Sequence, residues 1–480
     1  MLLRLSSLLS LACLLCAPLL AQKPPGLELH ASIRSRVEIW NWFSGASNSS
    51  YAFSGNLARL TLRRQRTHLD WQIDWAAPIL AWLPSNSIAA LPQGPSGLGA
   101  FYYAANGNRR TASLPFLKQA FLTWKIPSGG SRPALQIGRF EWFDGIELTP
   151  EDPTLAALKR DRVNQRLLGP FLWTHVGRSF DGVHFSRASS NIRYAFLAAL
   201  PTRGAFQVDG WGNLKIGLLS FSASAPTRWP RQNGEWRLAA IYYHDWRRVL
   251  KVDNRPLAER SHDLASIRLT TLGGHYLHRW QTARGAFSGL AWLYAQLGRW
   301  GRLDHRAYAA NLEAGWEPPA FPQLRPWLAA GLARSSGDPH PADARHSTFF
   351  QLLPTPRPFA RTPFFNMMNT SEIFAMLTLR PSPRLSTRTE FHSLRLTQPA
   401  DLWYAGGGPY QPWSFGYLGR NAAGARSLAN LWDASLDWQL SPSWSFSAYF
   451  GYIDGKSAVR AVYPQGPTGR FSYLELTWRF

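Results

Sequence analysis

Apolar and polar side chains alternate with a period of two along most of the chain. The segment Leu27–Trp40 places Leu29 and Ile33 on one face and charged or hydroxyl side chains on the other. The pattern returns many times, for example around Leu269 and around Ile373. Because successive side chains of a β-strand point to opposite faces, this alternation predicts an all-β protein.

Eighteen segments carry this pattern, and most are about 9–12 residues long. A tilted strand needs about 9–11 residues to cross a bilayer, whereas strands of soluble proteins are nearer 5–6. The length therefore favours membrane-spanning strands over a soluble sandwich. The predicted strands are Leu27–Trp40, Asn56–Arg66, Leu69–Leu80, Leu117–Ile126, Pro133–Glu141, Ser179–Arg187, Asn191–Leu200, Gly212–Ser222, Trp236–Trp246, Leu264–His278, Ala286–Leu297, His305–Trp316, Leu324–Arg334, Ser371–Arg380, Arg384–Arg395, Leu428–Gln439, Ser443–Ile453 and Phe471–Phe480.

The predicted connections alternate between long and short. Outer-membrane barrels have long extracellular loops, short periplasmic turns and an even strand count. We therefore predict a single transmembrane antiparallel up-and-down β-barrel of eighteen strands, with both chain ends on the short-turn side. The long connections include residues 41–55, 81–116, 142–178, 335–370, 396–427 and 454–470; the short ones include residues 67–68, 188–190, 381–383 and 441–442, and only residues 223–235 are long among that set.

The first 21 residues have the features of a secretory signal peptide. Arg4 precedes an apolar, leucine-rich stretch that ends at Ala21. Removal of residues 1–21 eliminates both cysteines, Cys13 and Cys16, and leaves residues 22–480 as the barrel. No later run of 18 or more apolar residues follows, so the sequence predicts no transmembrane helix.

Composition changes the picture in two respects. The 480 residues include 52 Lys and Arg against 29 Asp and Glu, a net charge of +23, which by itself suggests a basic soluble protein or a nucleic-acid binder. The 23 tryptophans and the 14% aromatic content exclude a disordered chain and are typical of the aromatic girdles of a barrel. Aromatic residues near predicted strand ends, expected at the two membrane interfaces, include Trp40, Trp42, Trp82, Trp246, Trp316, Tyr452 and Trp478.

Most strand arginines lie on faces opposite the apolar ones, which predicts that they point into the lumen. An arginine-rich lumen raises the local concentration of anions, and the planar guanidinium binds carboxylates and phosphates with two hydrogen bonds. The alternative is that these arginines pair with acids and brace the wall of a barrel wide enough for a water-filled channel. The arginines predicted to face the lumen are Arg34, Arg36, Arg59, Arg63, Arg193, Arg268, Arg388 and Arg479.

The last predicted strand is amphipathic and finishes on an aromatic residue. Leu474, Leu476, Trp478 and Phe480 share one face. This arrangement resembles the signature that the barrel-assembly machinery reads. We therefore expect that machinery as a partner through the strand ending at Phe480, and outer-membrane lipids and lipopolysaccharide around the barrel.

Several motifs resemble those of the alginate-export family of outer-membrane barrels. The most specific is Gly-Arg-Ser-Phe-Asp-Gly at residues 177–182. The other matching stretches are Leu117–Phe121, Leu135–Arg139, Arg166–Pro170, Trp173–Val183, Ser336–Asp338, Ser347–Phe349 and Leu353–Thr355.

The resemblance implies an eighteen-stranded barrel whose arginine-rich lumen passes an anionic uronate polymer by diffusion. Carried over by position, Arg139 and Arg178 would contribute to an electropositive pore near the extracellular half. Asp181 would be a local counter-charge. The minimal periplasmic turns of this sequence predict no plug or gate on that side.

Motifs of enzymes and of nucleic-acid binding give little support to other functions. The chain has no P-loop, no H-E-x-x-H and no G-x-S-x-G, so we expect no catalytic residue and no cofactor. His275 and His278 are spaced so that a strand points them to opposite sides, and we expect no metal site there. Paired arginines such as Arg109 and Arg110 fit lipopolysaccharide better than nucleic acid, because the chain is exported.

The sequence thus predicts a passive channel in the outer membrane of a Gram-negative-type bacterium, reached after signal-peptide removal. It passes anionic solutes through an arginine-lined pore, and export of an alginate-type anionic polysaccharide is the preferred function. The alternatives are a general anion- or phosphate-selective porin and, from a different class, an outer-membrane enzyme or a structural barrel without conductance.

Overall fold

The computed structural model describes residues 26–128, 132–189, 191–229, 232–356 and 361–480. The predicted signal peptide lies outside the described residues. Eighteen long strands match the eighteen predicted segments, commonly extending them by a few residues. They are β1 (Leu27–Asn41), β2 (Ser50–Arg64), β3 (Leu69–Ala81), β4 (Phe116–Lys125), β5 (Ala134–Phe140), β6 (Phe180–Ser189), β7 (Ile192–Pro201), β8 (Ile216–Trp229), β9 (Gln232–Asp245), β10 (Ile267–Thr282), β11 (Gly285–Trp300), β12 (Leu303–Glu317), β13 (Trp327–Ser335), β14 (Thr370–Ser382), β15 (Leu385–Leu396), β16 (Ser427–Gln439), β17 (Trp444–Gly455) and β18 (Thr468–Arg479).

Each strand pairs antiparallel with the next, and β1 pairs antiparallel with β18 from Ser32↔Arg479 to Asn41↔Arg470. The sheet is therefore a closed barrel in which every long strand has two neighbours, as an up-and-down barrel requires. The predicted fold class and strand count are confirmed.

The long connections carry the remaining secondary structure. They hold the helices α1 (Gly97–Ala105), α2 (Pro153–Leu158), α3 (Leu257–Ser261) and α4 (Ser457–Val462), and a small hairpin of Leu402–Gly406 with Tyr417–Asn421. None of the helices in the described part of the chain is long and apolar enough to cross a membrane.

Long and short connections alternate around the barrel, with two departures from the predicted pattern. The long turn predicted at residues 223–235 is wrong, because most of these residues extend β8 and β9, which pair from Asp245↔Ile216 to Gln232↔Trp229. On the long-loop side, only residues 301–302 join β11 to β12. By the asymmetry usual in outer-membrane barrels, the long-loop end is extracellular.

Large apolar side chains cover the outer face of the barrel. Ile373 is 67% exposed, Leu293 is 59% exposed and Leu312 is 52% exposed, which is the surface that lipid chains require. Exposed tryptophans collect near the short-turn ends of the strands, as an interface girdle does. These are Trp124, Trp280, Trp316, Trp438 and Trp444.

Two tryptophans predicted for the girdle lie inside the barrel instead. Trp40 is 1% exposed and Trp42 is 4% exposed, and their rings contact each other with centroids 5.0 Å apart. Trp40 alternates with the outward-facing Ile39, so it points into the lumen, where it packs on Phe471. The interior is an aromatic core made with the long loops, and strand position alone did not distinguish it from the girdle.

Candidate functional site: the lumen and its inner loop

The connection between β5 and β6, residues 141–179, folds into the lumen and is called the inner loop here. Its α2 begins at Pro153, and Asp152 caps it by accepting hydrogen bonds from the backbone N–H groups of Thr154 and Leu155, both at 3.0 Å. A proline at the first position and an aspartate cap are strong helix-start signals. A π-helical turn, Lys159–Val163, continues the helix.

Arginines of β1 bind the backbone of the inner loop at one wall. Arg34 donates to the carbonyl oxygens of Leu172 and Thr174 at 2.7 and 2.5 Å. Arg36 donates to the carbonyl of Trp173 at 3.0 Å and lies 4.3 Å from its ring centroid. The guanidinium donors thus satisfy loop carbonyls that have no strand partner.

The opposite wall holds the inner loop by ion pairs between side chains. On β9, Arg237 donates to Asp144 and to Glu147, with Nη2···O distances of 2.6 Å to each. On β12, Glu313 accepts from Arg162 Nε at 2.7 Å. Because β9 and β12 lie roughly half a turn around the eighteen-stranded ring from β1, the inner loop spans the lumen.

The electrostatics of the inner loop follow from its burial. Burial raises the pKa of the Asp144 carboxyl to about 6, against the opposing effect of Arg237. Burial disfavours the charged form of Glu147 as well, but the charge of Arg237 and its hydrogen bonds hold that pKa at about 2. Burial, together with Arg36 and Arg34, keeps the pKa of His175 well below its usual range, so its imidazole is neutral.

A second long loop, residues 336–369, packs against the inner loop. The backbone N–H of Leu353 donates to the carbonyl of Leu167 at 2.8 Å, and that of Gly169 donates to the carbonyl of Leu353 at 2.8 Å. Gln351 Nε2 donates to the carbonyl of Arg166 at 2.8 Å. The two loops therefore form one hydrogen-bonded partition inside the barrel.

Two neighbouring cavities of about 580 Å³ each lie beside the inner loop, and Arg193 lines both. The first is also lined by Arg132, Glu141 and Glu147. Its two carboxylates are already paired, Glu141 with Arg59 at 3.1 Å and Glu147 with Arg237. Arg132 and Arg193 form no hydrogen bond or ion pair with any described residue.

Seven of the arginines predicted for the lumen do sit on inward faces, and most of them are paired. Arg36 binds Glu475 at 2.6 Å, Arg63 binds Glu28 at 2.6 Å, and Arg59 binds Asp74. Arg34 and Arg36 also hold the inner loop, Arg388 binds Glu390, and Arg479 donates to Ser445 Oγ at 3.3 Å. The inward-facing set is Arg34, Arg36, Arg59, Arg63, Arg193, Arg388 and Arg479.

The predicted lumen positions of Arg268 and of the pair Arg139 and Asp181 are wrong. Arg268 is exposed and alternates with buried Ile267, so it points outward. Arg139 binds Asp181 through two hydrogen bonds of 2.6 and 2.8 Å, as the counter-charge assignment implies. Both side chains nevertheless lie on the outward face of the barrel, which they share with Ile137, whose side chain is 51% exposed. The position of a residue along its strand decides which face it occupies.

Arg178 also departs from the predicted pore lining. Its side chain is 1% exposed and donates to the carbonyls of Gly407 at 3.0 Å and Gly169 at 3.5 Å. Burial lowers its pKa to about 10. Arg178 therefore joins the inner loop to the loop of residues 397–426, with no face on an open channel.

Sequence reasoning missed the inner loop itself and the wall residues that bind it. The segment from residue 151 to 166 carries a cap signal, a proline and four cations, which together indicate a charged helix within a long connection. Arg237 and Glu313 lie on predicted strands but were not singled out. The signal available in the sequence was the presence of charged residues on the inward faces of predicted strands, where they could pair with such a helix.

A buried cluster of possible metal ligands lies on the lumen wall between β15 and β16. Candidate ligand atoms of Glu390, His392 and Asp433 lie within 4.8 Å of one another. Their neighbours already engage them: Arg388 binds Glu390, and His392 Nδ1 is 2.6 Å from Glu372 Oε1. The cluster belongs to the charge network that lines this wall.

Solved structures with a similar fold include proteins of two bacteria. The chain is similar to OccAB2 of Acinetobacter baumannii (10% identity, TM-score 0.57, 95% of this chain and 98% of that chain covered). It is also similar to OccK9 (OpdG) of Pseudomonas aeruginosa (9% identity, TM-score 0.55, 95% and 98% covered) and to the outer membrane protein OpdK of the same bacterium (8% identity, TM-score 0.52, 94% and 99% covered). No curated protein matches the sequence.

The closed barrel and its apolar outer face define the class: this is an outer-membrane β-barrel. The sequence model of the alginate export family matches residues 156–452, more than half of the chain. The protein therefore belongs to the alginate export family, as its motifs predicted.

Proposed function

We propose that this channel passes anionic solutes, with an anionic sugar or an alginate-type uronate polymer as its substrate. The observation that carries the proposal is the charge of the cavity beside the inner loop. Its carboxylates, Glu141 and Glu147, are neutralised by Arg59 and Arg237, whereas Arg132 and Arg193 have no partner among the described residues. The charge left available to a solute is positive.

A guanidinium in this position favours carboxylate and phosphate groups over cations. Its planar fork makes two parallel hydrogen bonds to either group, and the low-dielectric wall strengthens the field that draws anions in. Because the neighbouring acids moderate that field, an anion binds weakly enough to leave again, which passage requires.

Membership of the alginate export family supports a uronate polymer as the substrate and export as the direction. Each uronate unit carries one carboxylate, so a chain moving past Arg193 would exchange one bound group for the next. Passage of a polymer requires the inner loop to move away from the lumen axis, because it is held at both walls.

A general anion- or phosphate-selective porin is the second candidate. Cavities of about 580 Å³ accommodate a small anion without any movement of the inner loop, and this observation favours small solutes. The two candidates share the same arginines and differ in the size of the solute.

Reversal potentials in a planar bilayer under a salt gradient test the anion preference. We expect the wild type to favour chloride over potassium, and the double variant Arg132→Gln/Arg193→Gln to lose most of that preference. Arg268→Gln is the matched control, because it removes one arginine from the outward face. A cation-selective wild type, or a double variant that behaves as the control does, contradicts the proposal.

Blocking experiments separate the two substrates. Alginate oligomers are expected to interrupt the current at lower concentrations than neutral oligosaccharides of the same length or inorganic phosphate. If phosphate blocks best, the porin function is correct. A folded barrel without conductance would contradict both channel functions and leave an enzyme or a structural barrel as the alternatives.

A further inference from the structure

Five arginines form a belt on the outer face of the barrel near its extracellular end. They are Arg268 on β10, Arg299 on β11, Arg306 on β12, Arg334 on β13 and Arg395 on β15, and all are exposed. Each lies within four residues of the extracellular end of its strand. This set is called the arginine belt below.

The alternation of each strand places the belt on the lipid-facing side. Arg299 shares its face with Leu297 and Leu293, which are 50% and 59% exposed, and its neighbour Trp300 is fully buried. Arg334 likewise shares its face with Leu332, which is 49% exposed. The guanidiniums therefore stand directly above the apolar band, where lipid headgroups begin.

The strand register divides the belt into two groups. Arg268 is directly opposite Arg299, and Arg306 pairs with Leu297, two residues from Arg299. Arg334 and Arg395 flank Ser371 of β14 on its two sides, so two strand spacings, about 10 Å, separate their backbones. Each group presents more than one guanidinium to the same patch of membrane.

The belt is almost free of compensating acids. Arg299 pairs with Asp304 at 2.8 Å, and both side chains are more than half exposed. Arg268, Arg306, Arg334 and Arg395 make no hydrogen bond or ion pair with any residue that the structure describes. Like charges so close on one surface repel each other unless an anion lies between them.

We propose that the arginine belt binds the phosphate groups of lipid A, the phosphorylated glycolipid anchor of lipopolysaccharide in the outer leaflet. Guanidinium forks match phosphate oxygens, and lipid A brings its phosphates to the height at which its acyl chains meet the headgroup. The apolar side chains under the belt contact those acyl chains. The belt thus holds one side of the barrel, β10 to β15, in a defined ring of lipid.

Titration of the detergent-solubilised full-length protein with bis-phosphorylated lipid A tests the proposal. The variant Arg268→Gln/Arg306→Gln/Arg334→Gln/Arg395→Gln is expected to bind at least tenfold more weakly than the wild type. The control variant Arg284→Gln/Arg325→Gln/Arg384→Gln removes exposed arginines from the opposite, short-turn end and is expected to bind within twofold of the wild type. Equal weakening in both variants, or in neither, overturns the proposal.

A second measurement uses only the wild type and so does not depend on the folding of a variant. Thermal unfolding is followed with bis-phosphorylated lipid A and with dephosphorylated lipid A of the same acyl composition. The phosphorylated lipid is expected to raise the melting temperature more, and added salt is expected to reduce that difference. If the two lipids stabilise the barrel equally, acyl-chain contact alone explains binding and the belt is not a phosphate site.

Discussion

Arg237 of β9 and Asp144 of the inner loop form a buried ion pair, with Nη2 2.6 Å from Oδ1. The same guanidinium binds Glu147 and donates to the hydroxyl of Tyr294 at 2.8 Å. One wall arginine thus fixes two acids of the segment that spans the lumen. It joins the barrel wall directly to the partition.

Replacing Arg237 with Met is expected to loosen the inner loop. Two buried carboxylates lose their counter-charge, and breaking a buried pair in this way costs roughly 3–5 kcal/mol. We therefore expect a lower unfolding temperature together with larger and noisier single-channel currents. Arg284→Met, on an exposed turn, is the control and is expected to change neither quantity. A variant with wild-type conductance would mean that the inner loop does not limit the current.

A substitution of Gly55 on β2 tests the attachment of the inner loop at the opposite wall. A Cβ at this position would lie 2.2 Å from His175 Cε1, and the His175 ring is fully buried. Gly55→Ala therefore forces the inner loop to shift, at a cost of about 1–3 kcal/mol for overpacking. We expect a lower melting temperature and an increased conductance.

Gly289→Ala is the matched control for this substitution. Gly289 is also in a strand, on the outward face of β11, and its added Cβ meets Trp280 at an ordinary 3.4 Å. If both alanine variants reduce stability equally, the loss of strand glycine explains the effect, and contact with His175 does not.

The barrel could be predicted because side chains along its strands alternate with a fixed period. Each membrane-spanning strand must alternate lipid-facing and inward residues over about ten positions, so Leu297 and Leu332 are visible in the sequence as outward positions. Strand existence and number follow from that rule. The assignment of Arg268 failed because Ile267 and Leu269, the apolar residues that alternate with it, are buried inside the barrel. Arg139 was placed in the pore by the family resemblance and not by the alternation of its strand.

The partition inside the lumen was not predictable in the same way. The inner loop is held by contacts between residues far apart in sequence, such as Arg162 with Glu313 and Arg34 with Leu172. No period links these positions. The alternation predicts that several strand arginines point inward, but whether a given arginine is paired or available depends on loop contacts that only the folded chain defines.

Two buried aspartates join the extracellular loops and are expected to respond to pH. Asp401 accepts a hydrogen bond from the backbone N–H of Asp338 at 2.9 Å and from the hydroxyl of Thr348 at 2.6 Å. Burial raises the pKa of Asp338 to about 6 and that of Asp401 to about 6. An unfolded aspartate has a pKa of about 3.9, so the folded loops bind more protons between these values.

Stability of these loops should therefore fall as the pH rises from about 4 to 6 and level off above that range. Hydrogen exchange of residues 336–356 and 397–426, corrected for the intrinsic rate, is expected to be slower at pH 5 than at pH 7. Asp338→Asn and Asp401→Asn remove the titrating groups and should flatten the profile. Protection that increases with pH in the wild type would contradict the assignment.

Arg59 balances two lumen acids at once. It binds Asp74 and lies 3.1 Å from Glu141, and Asp74 also accepts from Gln119 Nε2 at 3.1 Å. Lys118 Nζ also lies 3.8 Å from Glu141 Oε1, so two cations face two carboxylates beside the cavity that Arg193 lines. A change at either partner alters the field that a solute meets.

Arg59→Gln is expected to shift selectivity toward cations, because it leaves Asp74 and Glu141 without their shared counter-charge. Glu141→Gln is expected to shift selectivity toward anions, since it releases part of the Arg59 charge into the cavity. Reversal potentials in a salt gradient measure both changes, and their opposite signs separate an electrostatic effect from a general loosening of the wall. Shifts of the same sign in the two variants would place the ion path away from Arg59.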